Sequence, residues 1–185
     1  MNGLAPEFIK MTPLQKLRTT TTKICSSPQR RKRFRAIAEK VYKHELAPSG
    51  KEITSLMPIR DVRHRWNYTH SMIRRGRLLQ KAINNWVLEQ EELRPLLLAP
   101  SEWEFLEALG DMLETFTQVT LQMSRSTTLT LPWVLPMYEK MLKHLRSCSN
   151  NESLLISLRT AAEAGLGKLN TYYFKARECQ LNVIA

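Results

Sequence analysis

Two stretches of this chain carry residue types at spacings that could do chemistry. The first is Gln29-Arg30-Arg31-Lys32-Arg33-Phe34-Arg35. It follows Ser27-Pro28, a pair that starts helices, so several cations fall in the first turn or two. That is the unfavourable end of the helix macrodipole, where an exposed cation costs roughly a few tenths of a kcal/mol. A bound phosphate reverses the sign, because it pairs with the cations and accepts from free backbone amides. The same run also fits a nuclear-import signal of the Lys/Arg-rich type, or a solvated basic face. The second stretch is Asp61-Val62-Arg63-His64-Arg65-Trp66-Asn67-Tyr68-Thr69, followed by Arg74, Arg75 and Arg77. Its arginines supply cations, while Trp66 and Tyr68 offer stacking faces, a mixture that unpaired nucleic acid favours. Spacing alone leaves Trp66 a second reading. Seven residues before Ile73, it can be the first core residue of a helix.

Other chemistries find little support. The chain has no GxxxxGK[ST], HExxH, GxSxG or CxxC pattern. His44, His64, His70 and His144 are scattered and lack metal-ligand spacing. Glu102, Glu104, Glu107, Asp111 and Glu114 recur at helical spacing, which a solvated helix face explains better than an acid/base pair. No catalytic set emerges, and no cofactor, metal or small-molecule substrate is expected. Cys25, Cys148 and Cys179 are odd in number and far apart, so they read as free thiols.

The charge is lopsided. Of 28 Lys/Arg and 17 Asp/Glu in 185 residues, residues 1–80 hold 18 basic and 5 acidic side chains. The remainder holds 10 basic and 12 acidic, so the whole surplus of +11 lies in the first part. A polyanionic partner, DNA above all, accounts for that asymmetry better than a solubility requirement. No apolar run of about 18 residues is present to span a membrane. MNGLAPEFIK lacks the basic-then-apolar order of a signal peptide, and the apolar end Leu181-Asn182-Val183-Ile184-Ala185 looks like a cut through a larger fold.

The elements that must position these residues read as all-α. Thr12-Pro13 predicts a helix over about 13–25. Ser27-Pro28 starts another, with Phe34, Ile37, Ala38, Val41 and Tyr42 inward, ended by Ala47-Pro48-Ser49-Gly50. Residues 47–60 read as a loop. A third helix is expected from about Trp66 to Glu89. Ser101-Glu102-Trp103-Glu104 reads as a capping box for a fourth, apolar on most sides and hence central. After a polar turn at 124–130, Leu131 to Pro136 opens a fifth, running to about Arg146. Asn150-Asn151-Glu152 opens a sixth, striped by Leu154, Leu155, Leu158, Ala162, Gly165, Leu166, Leu169 and Tyr173. The division expected from charge is a basic helical arm and linker over 1–60 and a helical domain over 61–185.

Asp61-Val62-x-x-Arg65-Trp66-Asn67-x-Thr69 resembles the DVxTRWNST signature of hAT-family transposases. His64 stands where that family usually has Thr, and Tyr68 where it has Ser. The similarity continues through Leu78-Leu79-x-x-Ala82-Ile83, the Leu98 to Phe116 helix, Leu131 to Leu145 and Ala161 to Tyr173. Upstream, Leu17-Arg18 and Ile24 to Phe34 look like the segment preceding the signature in fungal members. The resemblance implies a helical insertion within an RNase H-like transposase, with Trp66 a candidate for stacking at a DNA end and Arg65 beside it. It also implies that the two catalytic Asp lie upstream of this stretch and the Glu downstream, with Asp61 none of them. The zinc finger and dimerisation region are likewise missing. The expectation is thus a bundle-like, non-catalytic, nuclear DNA-binding fragment. Its contacts are Arg30, Arg31, Lys32, Arg33, Arg35, Arg63, Arg65, Trp66, Arg74 and Arg75. A helical protein-interaction module, self-associating through apolar helix faces such as Leu154 to Leu169, is the alternative.

Overall fold

The computed structural model describes residues 11–62, 65–125 and 130–179. Arg63, His64, part of the polar turn and the chain's last residues lie outside them. The described residues are all-α, with seven α-helices and one isolated antiparallel bridge, Leu46 to Glu52. The helices are α1 (Pro13–Cys25), α2 (Pro28–Tyr42), α3 (Trp66–Leu78), α4 (Gln80–Leu88), α5 (Pro100–Met123), α6 (Val134–Asn150) and α7 (Ile156–Glu178). None is long and apolar enough to cross a membrane.

Contacts divide the chain into two compact units, one through Glu107 and one from Ala108. The division falls within α5, not at residue 60. The charge boundary is therefore not the packing boundary: the basic arm and the signature segment belong to the same unit.

In the first unit, α1 and α2 begin as their caps predict. The Thr12 hydroxyl accepts the Gln15 amide, and the Gln15 side chain accepts the Thr12 amide at 2.8 Å. Ser27 Oγ accepts the Arg30 amide at 3.2 Å, with Pro28 in the first turn. Leu17 and Ile24 of α1, Phe34, Ile37, Ala38 and Tyr42 of α2, and Trp86 and Trp103 are buried together with Met72 and Ile73. Gly76 of α3 lies against Leu17, where an added Cβ would come within 3.1 Å of a Leu17 methyl. Two aromatic polar groups fare differently inside this core. Trp103 Nε1 donates to Asn84 at 3.4 Å, whereas the buried Trp86 Nε1 has no acceptor among the described residues.

Several element boundaries differ from expectation. The helix expected from Trp66 to Glu89 is two helices, broken at Leu79. The Tyr42 hydroxyl accepts the Lys81 amide at 3.0 Å and the Ala82 amide at 3.5 Å, so it caps α4 in place of the carbonyls of a continuous helix. α2 ends at Tyr42, before Ala47, where Lys43 turns the chain away with a positive φ of 45° and a ψ of −110°. The box at the start of α5 uses Glu102, not Ser101 and Glu104: Glu102 Oε2 accepts the Ala99 amide at 2.9 Å, with Pro100 at the first helical position. α7 starts at Ile156, since Asn151 Oδ1 accepts both the amide and hydroxyl of Ser153 and holds that segment in a turn.

The second unit takes its core from Val119, Met137 and Met141, with Phe116, Tyr138 and Leu169 packed against them. α6 and α7 form its hairpin. Gly165 sits against Leu145, and Arg159 Nε donates to the Ser149 carbonyl at 3.1 Å. Only Leu158 and Ala162 of α7 are buried, so its expected stripe is largely half-covered.

Candidate nucleic-acid interface

The expected contact residues fall into three groups. Arg30, Arg31, Lys32, Arg33 and Arg35 are all exposed on α2, whose Phe34, Ile37 and Ala38 are buried. Arg30 Nη1 donates to Ser26 Oγ at 2.9 Å. Arg33 is drawn sideways to Glu89 of α4 at 2.9 Å. Arg31, Lys32 and Arg35 have no carboxylate within ion-pair distance among the described residues. Other cations of this unit do: Lys16 pairs with Glu102, Arg18 with Asp61, Arg77 with Glu107 and Lys81 with Glu45. Three adjacent cations of α2 are thereby left uncompensated. Since Ser27 already occupies the Arg30 amide, side chains rather than the helix N-terminus present that charge.

The second group is Arg65, Trp66 and Tyr68 at the start of α3. Trp66 is 54% exposed and Tyr68 36%. The core position that spacing allowed for Trp66 is thus taken by Met72 and Ile73 instead. Arg65 lies over the Tyr68 ring, 5.9 Å from its centroid. Arg63 lies outside the described residues.

The third group, Arg74 and Arg75, is half-buried and engaged by the fold. Arg74 Nε donates to His70 Nε2 at 3.3 Å, and Arg75 Nη1 donates to the Met57 carbonyl at 3.1 Å. Arg75 is an anchor of the loop more than a surface charge.

That anchored loop is what joins the first two groups. Residues 57–61 form a strap along α1, pinned at three points. Arg75 holds Met57, the Cys25 thiol donates to the Pro58 carbonyl at 3.5 Å, and Asp61 meets Arg18. Arg18 and Cys25 are seven residues apart, about 10 Å of helix rise. The strap thus spans from the α2 cations at one end of α1 to the Trp66 turn at the other. Burial pushes the Cys25 thiol up, while the positive charges of Arg60 and Arg31 pull it back. Arg60 is exposed. The motif-based reading missed it because it precedes the signature by one residue. It missed Arg18 as well, since nothing local shows that its partner lies on the strap.

Asp61 is a structural member of the signature. Its side chain is fully buried; Oδ2 accepts from Arg18 Nε at 2.6 Å and Nη2 at 2.5 Å, and Oδ1 accepts the Thr69 hydroxyl at 2.8 Å. The motif therefore has two ends that bond each other, Asp61 and Thr69, while Val62, Arg65, Trp66 and Tyr68 between them are exposed. Among the described residues, no three His, Cys, Asp or Glu side chains cluster as metal ligands would.

No family model matches the chain, and no solved structure does. A Talaromyces stipitatus protein named "Putative transcriptional regulator tpeD" is 31% identical over 132 residues. That match covers 71% of this chain and 14% of the relative's own length.

Proposed function

We propose that this chain is a non-catalytic DNA-binding helical fragment resembling the insertion region of a hAT-type transposase, acting in the nucleus. The observation that carries the reading is the uncompensated charge of Arg31, Lys32 and Arg35, continued by Arg60 to the exposed Arg65–Trp66 turn. Cations without local partners gain most when phosphates supply them. An indole half in solvent at the end of the same strap offers a stacking face for an unpaired base. The relative's printed name, a transcriptional regulator, suits a DNA partner and a nuclear location.

Titrating DNA at several salt concentrations tests the reading. Log K against log salt should fall with a slope of roughly −3 to −5, as expected for a handful of phosphate contacts. No binding at low ionic strength, or a flat salt response, removes the proposal. Trp66→Ala should weaken binding to DNA with an unpaired end by about tenfold, with a smaller loss on blunt duplex.

The second reading, a helical protein-interaction module, is favoured by α7. Ile156 is 78% exposed and Phe174 58%. Large apolar side chains on one outward helix face suit a partner helix or a second copy. Sedimentation at rising protein concentration separates the two: a monomer throughout speaks against self-association through α7.

A further inference from the structure

We propose that Asp61, Arg18 and Thr69 form a positioning clamp for DNA recognition, holding the Arg65–Trp66 turn at a set distance from the cations of α2. The inference rests on the DNA-binding reading above and adds to it residues that touch no DNA. Asp61 is a fully buried carboxylate whose two oxygens gather groups from α1 and from the first turn of α3. A buried ion pair gains little stability over apolar packing of the same volume, so what this one supplies is fixed geometry. Thr69 lies one turn beyond Arg65, and its amide reaches the Arg65 carbonyl at 3.5 Å. Holding the Thr69 hydroxyl therefore holds the turn that presents Trp66. At its other end the strap is tied to Cys25 through Pro58. Releasing the clamp frees the Trp66 turn while Met72 and Ile73, further along α3, stay buried in the core.

The test compares wild type, Thr69→Val, Thr69→Ser and Asp61→Asn on a blunt duplex and on the same duplex with a single-stranded extension. Thermal unfolding checks that each variant folds, and the alkylation rate at Cys25, read by mass spectrometry, reports how firmly the strap is held. Thr69→Val should weaken binding to the extended DNA about fivefold, the order of one ordinary hydrogen bond, while blunt-duplex affinity stays within about twofold. Thr69→Ser should restore it, and Cys25 should react faster in Thr69→Val and Asp61→Asn than in wild type. If Asp61→Asn does not fold, the Thr69 pair carries the comparison. Wild-type affinity ratios in folded Thr69→Val overturn the clamp alone. Equal losses on both DNAs also overturn it, since they mark a merely structural bond. A wild-type protein that binds neither DNA overturns the DNA-binding reading and the clamp with it.

Discussion

The arginines of α2 and those of α3 sit at opposite ends of their helix dipoles. Arg30, Arg31 and Arg33 crowd the N-terminal turns of α2, where cations are disfavoured, whereas Arg75 and Arg77 occupy the last turn of α3, where they are stabilised. Their surroundings follow the same division. Arg75 reaches a backbone carbonyl and Arg77 pairs with Glu107, while Arg31, Lys32 and Arg35 point into solvent without a carboxylate among the described residues. Arginines at similar density thus stand in different surroundings. On α3 the fold uses the charge; on α2 Arg31, Lys32 and Arg35 are left without a carboxylate among the described residues.

The sharpest way to break that contrast is to neutralise each group in turn. Replacing Arg31, Lys32 and Arg35 together with Gln should lower DNA affinity by about a hundredfold at moderate salt and reduce the salt slope by about 3. Thermal stability should stay within about 0.5 kcal/mol, because exposed side chains without partners contribute little to the fold. A large stability loss in this triple variant would mean that α2's cations serve the fold after all.

Arg75→Gln should do the reverse. It removes the charged donor from the Met57 carbonyl and loosens one pin of the strap, at a cost of about 1.5–2 kcal/mol in chemical denaturation. Its effect on the salt slope should be smaller than that of any one α2 substitution. A full unit of lost slope with unchanged stability would place Arg75 on the DNA surface, as its motif position had suggested.

How much of this was legible in the sequence depended on the range of the interaction that decides it. Thr12-Pro13 and Ser27-Pro28 fix the starts of α1 and α2 through bonds spanning three residues, and both were readable as written. The cations of α2 were readable too, since an amphipathic pattern with Phe34 and Ile37 inward forces Lys32 and Arg35 outward. What was not readable were contacts made across the fold. The break at Leu79 depends on the Tyr42 hydroxyl, 39 residues upstream of the Lys81 amide it accepts, and the pairing of Arg18 with Asp61 spans 43 residues. Trp66 shows the same limit from the other side. Its spacing to Ile73 allows burial, and only the packing of α3 against α1, with Met72 and Ile73 buried, leaves the indole outside.

The smallest expected effect probes whether α2's charged face can be uncoupled from its packed face. Tyr42, at the end of α2, caps α4 by accepting the Lys81 and Ala82 amides. Tyr42→Phe should cost about 1 kcal/mol of stability near neutral pH, the range of a lost helix cap, and leave the DNA salt slope unchanged. Its pH signature is specific. Burial, opposed by the two amide bonds, holds the Tyr42 phenol above its ordinary value. The protonated phenol is therefore favoured in the folded state. The stability this contributes is complete below a pH of about 10, the ordinary tyrosine value, and is lost as pH rises through the higher folded value. Wild-type stability should then fall more steeply than that of Tyr42→Phe above about pH 10, so that the two curves converge. Parallel curves would show that the phenol titrates alike in folded and unfolded chains.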